Sequence, residues 1–149
     1  LKADHRRVEE LFANFESART RAQKAQIATS ICTELKIHSE LEEKIFYPAV
    51  REMAEAEEKL DEAQVEHDTV KVLVRDIEAE KPEAPFYEAK VTVLREYVKH
   101  HVGEEEAPDG ILAQAQKGGI DLSALGQTMA QRKQELLADP KQPVRNPFP

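Results

Sequence analysis

Apolar residues recur along this chain at steps of three and four, the period of an amphipathic helix, and no convincing strand-like alternation interrupts them. A first helix is predicted from residue 1 to about 20, with His5, Val8, Phe12 and Phe15 on one face and Asp4 in the favourable first turn. A second runs from about Lys24 to Tyr47 with Ile27, Ile31, Leu35, His38, Leu41 and Ile45 inward; Pro48, lacking an N–H, is expected to kink or end it. A third, from about 55 to 79, aligns Leu60, Ala63, His67, Val70, Val74 and Ile77. Lys81-Pro82-Glu83-Ala84-Pro85 breaks the pattern. A fourth helix, about 86 to 106, carries Val91, Leu94, Val98, His101 and Glu105 along one stripe. Ala107-Pro108-Asp109-Gly110 interrupts it, and a short fifth helix at 111–117 has a weaker pattern. Asp121-Leu122-Ser123 opens a last helix with Leu122, Leu125, Met129 and Leu136 inward, expected to pack on its own bundle. The pattern predicts one all-α domain over 1–139: an up-down antiparallel four-helix bundle (1–106), with an additional C-terminal helix (121–138). Residues 140–149 hold four prolines in ten and are expected to be an extended tail.

Composition narrows the partners. A net charge of −8 on 149 residues argues against nucleic acid, whose phosphates need clustered Lys and Arg, and against an anionic membrane surface. No apolar run approaches the roughly 18–20 residues of a membrane span. The single Cys32 excludes an intramolecular disulfide and fits a reducing compartment; with no secretory leader read in the sequence, a cytoplasmic protein is expected. Cys32 reads as buried filler beside Ile31, and Phe12, Phe15, Phe46, Tyr47 and Tyr97 as ordinary core.

The inner stripes also carry chemistry. His38 and Glu42 are one turn apart on the apolar face of the second helix, and His101 and Glu105 repeat this on the fourth. Lone histidines, His5 and His67, sit on the first and third helices, 33 and 34 residues before those pairs. Taken singly, each histidine reads more readily as a hydrogen-bonded core residue, and the Glu runs as solvated faces. Four helices that each place a His inward, two adding a Glu one turn later, favour a joint metal site instead. Imidazole ligates iron, copper and zinc, and a carboxylate bridges two cations. Four His and two bridging Glu would fill roughly eight of about twelve positions on two six-coordinate ions; a bridging oxo or hydroxo group takes two more, leaving about two for water, dioxygen or peroxide. A single zinc fits less well, because structural zinc prefers four closed ligands. Spacing does not separate His101/Glu105 from His100/Glu104, an equally good pair on a neighbouring stripe.

The strings Asp4-His5-Arg6-Arg7-Val8, His38-x-x-x-Glu42-Glu43 leading to Phe46-Tyr47-Pro48, Glu66-His67-Asp68 and His101-x-x-x-Glu105-Glu106 together resemble the hemerythrin-like, HHE cation-binding family over most of the chain, from Asp4 to about Glu106. The resemblance implies a bundle around a non-haem di-iron centre of two iron ions, with His5, His38, Glu42, His67, His101 and Glu105 as ligands and His100 as a neighbour. It also implies dioxygen, peroxide or nitric oxide as the small-molecule ligand. Two departures stand out. The oxygen carriers of that family have a further His where this chain has Lys71, so one iron is expected to be more open, or completed by Glu43, Glu66, Glu104 or Tyr97. Their aromatic-Pro segment is here Ala107-Pro108-Asp109-Gly110-Ile111-Leu112. The expected function is binding or reaction with a small oxidant, turnover being left open with peroxide decomposition the candidate reaction. The rivals are an iron storage or sensing module and a metal-free structural bundle. Oligomeric state is left open.

Overall fold

The computed structural model describes residues 1–53 and 56–138, so the expected Pro-rich tail at 140–149 lies outside the described residues. Most of those residues are helical, with no strand among them. The elements are α1 (Lys2–Ser17), α2 (Arg21–Leu41), a π-helical turn (Glu42–Phe46), α3 (Tyr47–Val50), α4 (Glu57–Ala79), α5 (Tyr87–Glu105), α6 (Ile111–Lys117) and α7 (Leu122–Ala138). Helix α2 begins three residues earlier than its apolar stripe suggests, because Thr20 caps it: the hydroxyl accepts from the Gln23 N–H at 3.1 Å. Pro48 does not end the helical path. The chain widens into one π turn, in which the Tyr47 N–H reaches back five residues to the Glu42 carbonyl, and continues helically to Val50.

Cross-helix contacts fix the directions of the four long helices. The start of α1 meets the ends of α2 and α5 through His5–His38 and His5–Glu106, while its far end meets α5 through Arg95–Glu16. Lys36 pairs with Glu78 while Glu43 pairs with His67, and Lys90 pairs with Glu80. Each neighbouring pair therefore runs antiparallel. Two apolar clusters fill the bundle. One holds Val8, Phe12, Leu35, Val70 and Leu94; the other holds Leu41, Phe46, Ala63 and Ile111, with Met129 and Leu136 of α7. The inward histidines fall between these clusters, at the level where polar side chains replace the stripe.

Helix α7 packs on the bundle, against α2 and the π turn. Its stripe is narrower than expected: Met129 and Leu136 are buried, but Leu122 is 38% exposed. Tyr97, expected in the core, is 47% exposed on the outer face of α5. No described helix is long and apolar enough to cross a membrane.

Candidate metal centre

Helical periodicity delivers six side chains to one level. His5 (α1), His38 (α2), Glu42 (first residue of the π turn), His67 (α4), His101 and Glu105 (α5) are all buried. They form two groups. The Nε2 atoms of His5 and His38 stand 3.2 Å apart beside Glu42 and Glu105, and those of His67 and His101 stand 3.2 Å apart beside Glu42. The carboxylates straddle the groups. Glu42 Oε1 lies 3.2 Å from His38 Nε2 and 3.0 Å from His67 Nε2. Glu105 presents Oε1 to His5 and Oε2 to His101, each at 3.4 Å from Nε2. Alternation along α5 turns the other pair outward: His100 is 65% exposed and meets Glu104 at the surface, at 2.9 Å. The choice that spacing left open therefore falls to His101 and Glu105 as the inward pair.

Each imidazole has its second nitrogen backed by a carboxylate. His5 Nδ1–H donates to Glu106 Oε2 at 2.5 Å, His101 to Glu66 Oε1 at 2.7 Å and His67 to Glu43 Oε2 at 3.0 Å. His38 Nδ1 faces Asp4 Oδ2 at 3.5 Å. On His5, His67 and His101 these hydrogen bonds hold the proton on Nδ1 and turn Nε2 inward, the arrangement by which proteins orient metal-ligating histidines, whereas His38 Nδ1 meets only the charge of Asp4. A third residue anchors each carboxylate: Arg6 on Glu106, Lys71 on Glu43, His100 near Glu66 and Lys133 on Asp4.

Lys71 adds no donor to either group and takes another role. It is buried, and its ammonium holds both oxygens of Glu43, at 2.7 and 2.9 Å. Of the residues expected to stand in for a missing ligand, Glu43 and Glu66 instead support imidazoles from behind, Glu104 lies at the surface, and exposed Tyr97 is far from the role. Sequence reasoning missed Tyr47. Its hydroxyl donates to Glu105 Oε2 at 2.5 Å and stands 3.2 Å from His67 Nε2 and 3.4 Å from His101 Nε2. The π turn puts it there: in a regular helix the fifth residue after Glu42 is rotated off its face, whereas the extra residue per turn brings Tyr47 back.

The electrostatics are those of an interior awaiting positive charge. Glu42 has no exposed surface, and neither of its oxygens nor Glu105 Oε1 has a hydrogen-bond partner. A buried carboxylate without compensation costs several kcal/mol or more. Burial opposes charge on His38, but Glu42 and Asp4 outweigh it and push the imidazole up to about 10. His67 and His101 are likewise raised against their burial, by Glu42 with Glu43 and by Glu105 with Glu42 respectively. Burial would raise Glu42, yet His38, His101 and His67 hold it well below the ordinary carboxylate range. Tyr47 is pushed upward by burial and then by Glu42 and Glu105, so it stays a phenol. Without a cation, the raised basicity of His38, His67 and His101 is what balances this cage.

The donor set fits a pair of cations. Two nitrogens bound to one ion at right angles, each about 2.1 Å away, stand about 3 Å apart, close to the separation of both imidazole pairs. Carboxylates whose oxygens face both groups suit bridging. Against the rings of all four histidines lies a small cavity of about 30 Å³, walled by Val8, Leu35, Val70 and Val98. A second, larger cleft of about 210 Å³ reaches from Lys59, Glu62 and Asp109 at the surface to His101 and Glu105.

Fold and site together define an all-α bundle with a buried histidine–carboxylate cage suited to cations. The chain belongs to the hemerythrin HHE cation-binding domain family, whose pattern matches residues 1–108. A DNA nickase of Nostoc sp. (strain PCC 7120) is 30% identical over 107 residues, which cover 72% of this chain and 30% of that protein. The chain thus spans about a third of that relative's length. No solved structure matches it.

Proposed function

We propose that the chain holds a non-haem di-iron centre through His5, His38, Glu42, His67, His101 and Glu105, and that it binds or reacts with a small oxidant such as dioxygen, peroxide or nitric oxide. The observation that carries this reading is the pair of buried carboxylates facing both imidazole groups, of whose four oxygens only Glu105 Oε2 accepts a hydrogen bond, from Tyr47. The chemistry of the set favours iron over a single zinc, because six donors in two sharing groups exceed what a closed tetrahedral site takes.

Bound iron would supply Lewis acidity and electrons. The chain's own residues do the rest. The valine and leucine walls of the 30 Å³ cavity give the imidazoles an apolar surrounding, and its size suits a diatomic or peroxide. Tyr47 keeps a proton on its hydroxyl, directed at Glu105 Oε2 and beside the second imidazole pair, where a bound ligand could accept it. The acidic cleft ending at His101 and Glu105 gives cations a route inward. The nicking activity named for the Nostoc protein is not carried over: the match covers less than a third of that protein, and a net charge of −8 favours a small molecule over DNA. The buried free thiol of Cys32 suits a reducing compartment such as the cytoplasm.

The test is metal content by mass spectrometry on protein purified without added metal, with absorption spectra before and after azide. About two irons per chain and a charge-transfer band that moves with azide are expected. Zinc alone, or no metal after anaerobic ferrous loading, would overturn the di-iron reading in favour of a structural bundle.

A further inference from the structure

We propose that Lys133, on α7 beyond the stretch that matches the family, is a positioning residue of the cation site: its ammonium fixes Asp4, and Asp4 aims His38. The inference rests on the cation reading of the cage. Lys133 Nζ lies 2.6 Å from Asp4 Oδ1, and Asp4 Oδ2 faces His38 Nδ1 at 3.5 Å. The other three supporting carboxylates find their anchors within α1, α4 and α5, through Arg6, Lys71 and His100. Asp4 finds its own on α7, and among the described residues no other Lys or Arg pairs with it.

Two features make this link matter. The Asp4–His38 contact is the longest of the four that back an imidazole from behind, and at 3.5 Å it is a charge contact without a hydrogen bond, so its strength turns on where Asp4 is held. Asp4 also sits in the first turn of α1, where helices fray, and without a tether its carboxylate is free to turn to solvent. The tether itself is well held. Lys133 lies between Met129 and Leu136, both buried against the bundle, and its only other acidic neighbour among the described residues is Glu34 at 3.9 Å. Metal binding and α7 docking are therefore coupled, and by reciprocity loading the cage firms α7.

The full chain is titrated anaerobically with ferrous ion against a chromophoric chelator, comparing wild type, K133M, K133R, D4N and D4N/K133M. Removal of partners that orient metal-ligating histidines costs 10–100-fold in affinity; one contact further out, K133M is expected to lose about tenfold and K133R to recover most of it. D4N should lose at least as much, and K133M should add nothing in the D4N background. Hydrogen exchange in α7 should slow on ferrous loading in wild type but not in K133M. K133M within about twofold of wild type, or losses that multiply in D4N/K133M, would overturn the inference while leaving the cation reading intact. A wild type that takes up no metal overturns both.

Discussion

At the residue scale, the site is built as an exchange between neighbours in sequence. Asp4 is next to His5 but faces His38, Glu43 is next to Glu42 but serves His67, Glu66 is next to His67 but serves His101, and Glu106 is next to Glu105 but serves His5. The strings were legible, because ligand and neighbour sit side by side; the roles were not, because each neighbour points across a helix interface that periodicity along one helix does not describe. Lys71 is the clearest instance. Read alone, it is a histidine lost; in the fold, it is the buried counter-ion of Glu43. Replacing it by Met leaves the Glu43 carboxylate with only part of its compensation, and breaking such a buried pair costs about 3–5 kcal/mol. The metal-free K71M protein is expected to melt about 10 °C below wild type by circular dichroism, a shift that a surface pair would not produce. Cys32 gives a pH-dependent check on the core. Burial, with Glu78 adding and Lys36 opposing, pushes its thiol up to about 12 from an unfolded value of 9.0. The raised value keeps the thiol neutral, so its contribution to stability is full below pH 9 and is lost as pH rises through about 12. At pH 8 a thiol reagent should react far more slowly with the folded chain than with the denatured one, through both the scarcity of thiolate and its burial, as measured by thionitrobenzoate release.

At the element scale, what escaped the sequence is whatever departs from a regular helix. The four long helices and their inward histidines were readable because 3.6-residue periodicity governs both the core and the cage. Pro48 was seen to interrupt that period but not how: the π turn absorbs the interruption and, in doing so, rotates Tyr47 into the site. The connection after α5 is a second such device. A Cβ on Gly110 would come within 2.5 Å of the Glu105 carbonyl oxygen and closer still to that of Glu104, so only glycine lets α6 start against the end of α5. Both obstacles are backbone, and Glu105 carries one of the two straddling carboxylates. G110A is therefore expected to shift the end of α5, lowering bound metal per chain as well as stability, whereas G126A, with open space around its Cβ, should leave the metal content unchanged. Metal analysis of the two purified variants decides it; equal metal content would show that the α5–α6 junction does not set the position of Glu105.

At the scale of the whole molecule, the cage lies between two apolar clusters and draws one or more side chains from each of α1, α2, α4 and α5. The two clusters give the metal-free chain a core of its own, so cations are expected to add stability without being required for folding, unlike small domains that have no core without their metal. The added stability follows mass action, about 2.7 kcal/mol for each cation when free metal is a hundred times its dissociation constant. For a chain of this length that corresponds to roughly 5–10 °C in melting temperature. Chelation of the loaded protein should thus lower the melting point by at least that amount while leaving the far-ultraviolet circular dichroism at 25 °C helical, and ferrous ion added back anaerobically should restore it. A melting point indifferent to chelation would mean that the imidazoles and carboxylates serve one another through protons alone. A loss of helix on chelation would mean that the two apolar clusters cannot close around an empty cage, so that the cations help to build the fold.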